Sequence, residues 1–528
     1  MKTELSKIID FINQGYYAKA LLQIDHELKT NPNNFGLNKA KASTLFLQNK
    51  YNAALVVFNK CYEINPRDYD TNVNISYIFN MVQDYKMSLK FCNDALKVDQ
   101  NRPEVYHNMA HCYLYIPDLE KAENFILKSI ELRGGLESID IIQFADTLNL
   151  YTDILVAKGD LDSFNTVSLN ILKKNIFFGD MFRKVLRNNP GAITDENLST
   201  LTSSLEKVID SKDHIRGSLS KASAYSCLAE YYQKTNKDLS EEYYIEANKL
   251  ILGAHRNSLY DGQRFTKNVI QFFDLVDTKK IQSDIPKNRG EGLIFIIGMP
   301  RSGTTLLESI LATADDSFAG GEKSYFSTQC RPIVKNYSPI TNGENTFSGL
   351  GKGYLDIIDI QRNNKKFYID KLPENYLYYK FIKTSLPGAK FLHIHRDPWD
   401  NAISIFKQNF QDALYWSSSF FGIALQYANY EYIISHWKSG VDTDILDVKY
   451  EDLVSNTSAT VSKIWSFCNL KGEYNETTRK KYFAQTASKF QVTQDIYVSS
   501  LKKEEFESQK EEFFKNLKLQ REYWLNST

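Results

Sequence analysis

The chain has 528 residues, of which 42% are hydrophobic, and its 64 Lys and Arg balance 64 Asp and Glu. Zero net charge gives no global field to draw nucleic acid or an anionic membrane, so an anion site has to be local. At roughly 100–200 residues per domain the length predicts about three domains.

The first residues, MKTELSKIIDFINQGYY, hold no apolar stretch of signal-peptide length, and the run Leu293 to Met299 is too short to span a bilayer. Cys61, Cys92, Cys112, Cys227, Cys330 and Cys468 are scattered, with no CxxC pair and no clustering with His. They read as reduced, buried thiols, and the chain as a soluble cytoplasmic protein with no transmembrane segment.

The first element is a repeat. Ala20, Ala54, Ser88 and Ala122 recur every 34 residues, as do Tyr17, Tyr51, Tyr85 and Leu119. Glu27, Cys61, Ala95 and Ser129 form another column, and Pro32 and Pro66 share the period. Such a period predicts helix–turn–helix units. A small residue lets paired helices approach, proline stops the second helix, and neighbours stack to bury their apolar faces.

The columns resemble the tetratricopeptide repeat, with about four copies in 1–134. The resemblance implies a concave surface for a peptide or protein partner, or a packing platform for the C-terminal domain. Residues 135–290 read as irregular helical repeats and linker: AKGDLDSF (157–164) is a turn out of phase, and 225–250 is a helix pair around Thr235 to Asp238. A polar stretch with Pro and Gly breakers, 281–292, marks a boundary, and 291–528 forms the last domain.

That domain opens with GLIFIIGMPRSGTTLLESIL (292–311): an apolar β-branched strand, a glycine turn and an amphipathic helix. This order puts backbone N–H groups and a helix N-terminus around a phosphate. A nucleoside triphosphatase loop reads GxxxxGK[ST]. Here Thr304 stands where that lysine belongs, and Arg301 lies inside the loop. This suits a donor without triphosphate or magnesium.

PRSGTT after a buried strand resembles the 5′-phosphosulfate loop of sulfotransferases. The arginine is most similar to tyrosylprotein sulfotransferases and to bacterial proteins that join tetratricopeptide repeats to such a domain. The resemblance implies that Arg301, Ser302, Gly303, Thr304 and Thr305 hold the donor, 3′-phosphoadenosine 5′-phosphosulfate (PAPS). AKFLHIHRDPWDNAISIF (389–406) resembles the family's 3′-phosphate motif, with Arg396 after a strand and Ser404 eight residues later. Arg supplies a bidentate fork and Ser a hydroxyl.

Two weaker matches lie further along the chain. DVKYEDLV (447–454) resembles the segment that puts a tyrosine, here Tyr450, near the nucleotide. TASKFQVTQDIYVSSLKK (486–503) resembles a late nucleotide-contacting segment, with Ser488 and Lys502 or Lys503 as contacts, although Thr493 and Asp495 depart from it.

Sulfuryl transfer needs a base, a cation on the leaving oxygen and donors around the moving group. Glu322, in SFAGGEKSYF, falls 21 residues after Arg301, where the family has its catalytic Glu. Lys371 takes the lysine's place in the family's DK-x-P-x-N-x-L segment, and Arg301 shares its role. His393 and His395 alternate on one strand face and read as structural or near the nucleotide. No metal motif is present and none is required.

The expected fold is an α-helical repeat superhelix followed by an α/β, P-loop-like domain with a parallel sheet, its site at the carboxyl ends of the strands. The expected activity is PAPS-dependent transfer to a hydroxyl or amine: peptide tyrosine, sugar or small molecule. An inactive repeat scaffold and a P-loop kinase are the alternatives.

Overall fold

In a computed structural model the chain is described over residues 4–526, apart from 49, 82–83, 117, 142, 174–178, 189–190, 192, 196–197, 200–213, 256–257, 336–342, 363–364, 409, 440–443 and 481–503. It divides into two compact units, Met1–Val167 and Ser168–Thr528. No helix among the described residues is long and apolar enough to cross a membrane.

The first unit is built of helix pairs: α1 (Glu4–Asn13) with α2 (Tyr17–Thr30), α3 (Phe35–Leu47) with α4 (Tyr51–Ile64), α5 (Tyr69–Met81) with α6 (Tyr85–Leu96), and α7 (Pro103–Tyr115) with α8 (Leu119–Glu131). Tyr17, Tyr51, Tyr85 and Leu119 each begin the second helix of a pair. Ala20, Ala54, Ser88 and Ala122 lie in its first turn and are fully buried, so the backbones meet there with almost no side chain between them. Pro32 and Pro66 follow the ends of α2 and α4, where a proline cannot continue a helix.

A register of polar groups repeats with the helices. Asn38 and Asn72, one period apart, donate their amides to the carbonyls of Pro32 and Pro66, at 3.0 and 2.8 Å. Asp84 and Asp118, again one period apart, cap α6 and α8 through Met87 N and Lys121 N. The turn at 157–164 ends one helix at Gly159, in the left-handed region at φ 76°, before the next starts at Leu161. Cys61, Cys92, Cys112, Cys227, Cys330 and Cys468 are free and buried.

In the second unit the described residues form a five-stranded sheet of order β2-β3-β1-β4-β5. Its strands are β1 (Leu293–Gly298), β2 (Ser317–Ala319), β3 (Phe367–Asp370), β4 (Lys390–His395) and β5 (Ile445–Lys449). Every pairing is parallel. β1 is buried along its whole length, as a central parallel strand covered on both faces must be. The chain passes from β1 outward to β2 and β3, then crosses to β4 and β5 on the other side. That reversal puts the switch point of the sheet at the carboxyl end of β1, where parallel sheets of this kind bind their ligands.

One core covers a face of this sheet and reaches well back along the chain. Ala229, Tyr244, Val269, Phe272 and Phe273, from helices before β1, share it with Phe295, Phe391 and Trp437, and with Phe513 and Trp524 of the helix Glu507–Leu525. The opposite face packs Leu307 and Ile310 against Ile296, Ile394 and Ile464.

Candidate active site

After β1 the chain turns through Met299–Gly303 and enters the helix Thr304–Leu311. The turn needs its glycines. A Cβ on Gly298 would stand 2.3 Å from the Ile394 carbonyl oxygen, and one on Gly303 would stand 2.4 Å from the Tyr450 ring. Gly303 has φ 104°, and Arg301 takes the left-handed φ of 64° without being glycine. Positive-φ positions of this kind occur in loops that bind anions through successive backbone amides.

The loop is pinned from outside. Ser302 is fully buried; its hydroxyl donates to the Ile394 carbonyl at 3.3 Å and its amide to the Met299 carbonyl at 3.3 Å. Asn401 donates to the Pro300 carbonyl at 3.0 Å. Ser302 therefore ties the loop to β4. Thr304 and Thr305 are buried in the first helical turn, and Arg301 is half-buried at the rim.

Arg396 leaves the end of β4 and lays its guanidinium 4.4 Å from the centre of the Tyr450 ring. Tyr450 opens the helix that follows β5, so a single tyrosine lies under both Gly303 and Arg396. The Arg396 carbonyl accepts from Tyr427 at 2.9 Å. Asp397 then caps the helix Pro398–Phe406 through Trp399 N and Asp400 N, and Ser404 lies nearly buried on that helix. Ser488, Lys502 and Lys503 lie outside the described residues.

Beside the loop, at the end of β3, Lys371 is fully buried and donates to Glu322 Oε1 at 2.5 Å. The Glu322 side chain is 42% exposed, so one partner is fixed while the other opens to solvent. Gly321, at φ 70°, and Gly320, packed on the Tyr368 ring, let the chain turn sharply before Glu322.

Sequence reasoning missed the groups behind this pair. Glu308, on the loop helix, accepts from Gly321 N at 3.0 Å and reaches within 3.9 Å of Lys371 Nζ. Asp370 accepts from Tyr354 at 2.6 Å and Asn375 at 3.3 Å. Burial pushes the Asp370 carboxyl up and the neighbouring Lys323 ammonium down, since each charged form loses its water. Asp370 directly before Lys371 was the one signal in the sequence.

His393 is engaged on both ring nitrogens, Nδ1 with Asp447 at 2.6 Å and Nε2 with the Tyr430 hydroxyl. Burial holds its pKa below the usual value despite Asp447. Burial also pushes Asp447 up, but its bonds to His393 and Lys438 outweigh that and hold its carboxyl low. The His395 ring stacks on that of His393 at 5.6 Å.

Residues 294–475, which span the loop, β3, β4 and Tyr450, match the family model "Sulfotransferase family", and 40–68 and 103–135 match "Tetratricopeptide repeat". An uncharacterized protein of Aquifex aeolicus is 26% identical over 73% of this chain and 54% of its own length. The chain thus spans about half of that relative. The sulfotransferase domain of the Synechococcus PCC 7002 olefin synthase is 17% identical, covering 41% of this chain and 88% of its own, at a TM-score of 0.30. A tetratricopeptide repeat protein from Parabacteroides merdae is 13% identical, covering 47% and 91%, at a TM-score of 0.34. Tetratricopeptide repeats and a sulfotransferase-family domain are joined in this chain.

Proposed function

We propose, from the sulfotransferase-family match of residues 294–475, that the C-terminal domain moves a sulfuryl group from PAPS to an acceptor hydroxyl or amine. The observation that carries the reading is a convergence at the strand ends. A glycine-walled loop, Arg301, Arg396 and the Lys371–Glu322 pair gather there in a chain of zero net charge. Glycine at 298 and 303 lets the loop pack on the Ile394 carbonyl and the Tyr450 ring, which supports a preformed loop for the donor. Its phosphosulfate belongs against Arg301, Gly303, Thr304 and Thr305, with Ser302 holding the loop. Its 3′-phosphate belongs against Arg396 and Ser404, with Tyr450 close by and Ser488 and Lys503 as further contacts.

The residues divide the reaction among them. Glu322 takes the acceptor's proton as the acceptor oxygen or nitrogen bonds to sulfur. Lys371 and Arg301 meet the charge left on the 5′-phosphate when its bond to sulfur breaks. Peptide tyrosine, sugar and small-molecule acceptors all fall within this chemistry. The divisions at 134 and 290 are proposed as functional ones: partner-binding repeats, connecting helices and donor-binding domain. Six free, buried thiols suit a reducing cytoplasmic setting.

The test is transfer of radiolabelled sulfate from PAPS into fractionated extract by the full chain. Label entering one fraction only when the protein is present supports the reading. No transfer, with phosphate moving instead from labelled ATP and magnesium, would make the domain a kinase. Transfer of neither would make it a scaffold.

A further inference from the structure

Lys371 and Glu322 set each other a problem. A carboxylate held by an ammonium at 2.5 Å is a masked base, yet a lysine with no exposed surface cannot give up its nearest counter-charge cheaply. The base can act only if Lys371 keeps a second anion when Glu322 turns to the acceptor.

Glu308 meets both needs. Its side chain is 1% exposed, and its Oε2 lies 3.9 Å from Lys371 Nζ. Its Oε1 accepts the Gly321 amide at 3.0 Å, one residue before Glu322. Gly321 in turn accepts from Lys371 N at 2.9 Å. Glu308 also stands on the helix that begins at the phosphate loop, so one side chain links the loop, the turn carrying the base and the buried cation. Asp370 suits this role less well, because Tyr354, Leu372 N and Asn375 already fill its oxygens.

We infer that Glu308 is a positioning residue, an inference that rests on the sulfotransferase reading. It holds Lys371 in place while Glu322 is released to take the acceptor proton, and it fixes the turn that aims Glu322. It touches neither donor nor acceptor.

The test uses the full chain and two variants. In Glu308→Gln the amide oxygen still accepts from Gly321, so thermal unfolding and affinity for 3′-phosphoadenosine 5′-phosphate stay as in the unsubstituted protein. Turnover at saturating donor falls about 10- to 100-fold, the usual cost of removing a group that orients a reacting one. The loss falls on kcat, with KM for PAPS unchanged. In Glu308→Ala, amide exchange rises across 318–323 and not along the loop helix. Turnover within twofold, nucleotide affinity falling in step with turnover, or unchanged exchange at 318–323 would each overturn the assignment. Failure of the unsubstituted protein to bind the nucleotide would instead sink the sulfotransferase reading, and the exchange result would still report on the turn.

Discussion

In the repeat unit, Asn38 and Asn72 are buried amides that each bridge two backbone carbonyls, and Asn108 donates to the Ser76 hydroxyl at 2.7 Å. In the C-terminal unit the buried polar groups at the strand ends include five charged ones, Glu308, Lys323, Asp370, Lys371 and Arg396, beside neutral Ser302, Thr304 and Thr305. Neutral amides satisfied by nearby backbone fix helix spacing at small cost and repeat wherever the helices do. Buried charges cost several kcal/mol each unless paired. Their concentration beside a glycine loop is the arrangement on which the proposed transfer site rests.

Two substitutions break that comparison in opposite ways. Glu322→Gln carries the larger effect: transfer falls about 10²- to 10⁴-fold, the range of a general base, while donor affinity and thermal stability hold. Single-turnover transfer beside a binding isotherm checks it, and near-normal transfer would return Glu322 to a surface role. Asn72→Ala does the reverse. It strands the Pro66 carbonyl, while the Asp68 carbonyl keeps the backbone N–H of residue 72, and it costs about 1–3 kcal/mol of stability by denaturant unfolding. Nucleotide affinity does not change; a parallel loss of affinity would erase the contrast between the regions.

The repeats were legible because stacking imposes a period on the sequence. The columns at Tyr17 and Ala20 mark the start and the closest approach of each second helix. The loop was legible as strand, glycine turn and helix. What escaped depends on strand order, which no local pattern records. Ser302 meets Ile394 only because β1 lies beside β4, and Tyr354 meets Asp370 through packing of a helix on β3. Glu308 looks like any glutamate on an amphipathic helix until the Gly321 turn folds back on it. Asn401, which pins the loop at Pro300, is hidden in the same way.

Calorimetry with 3′-phosphoadenosine 5′-phosphate, in the presence of a chelator, tests the donor site most directly. The expected result is binding without magnesium and a preference over adenosine 5′-phosphate. Arg396→Ala should erase that preference by removing a charge-assisted contact worth about 1.5–3 kcal/mol, roughly 10- to 150-fold in affinity. No binding, binding that requires magnesium, or a preference that survives Arg396→Ala would contradict the assignment of this loop and Arg396 to the donor.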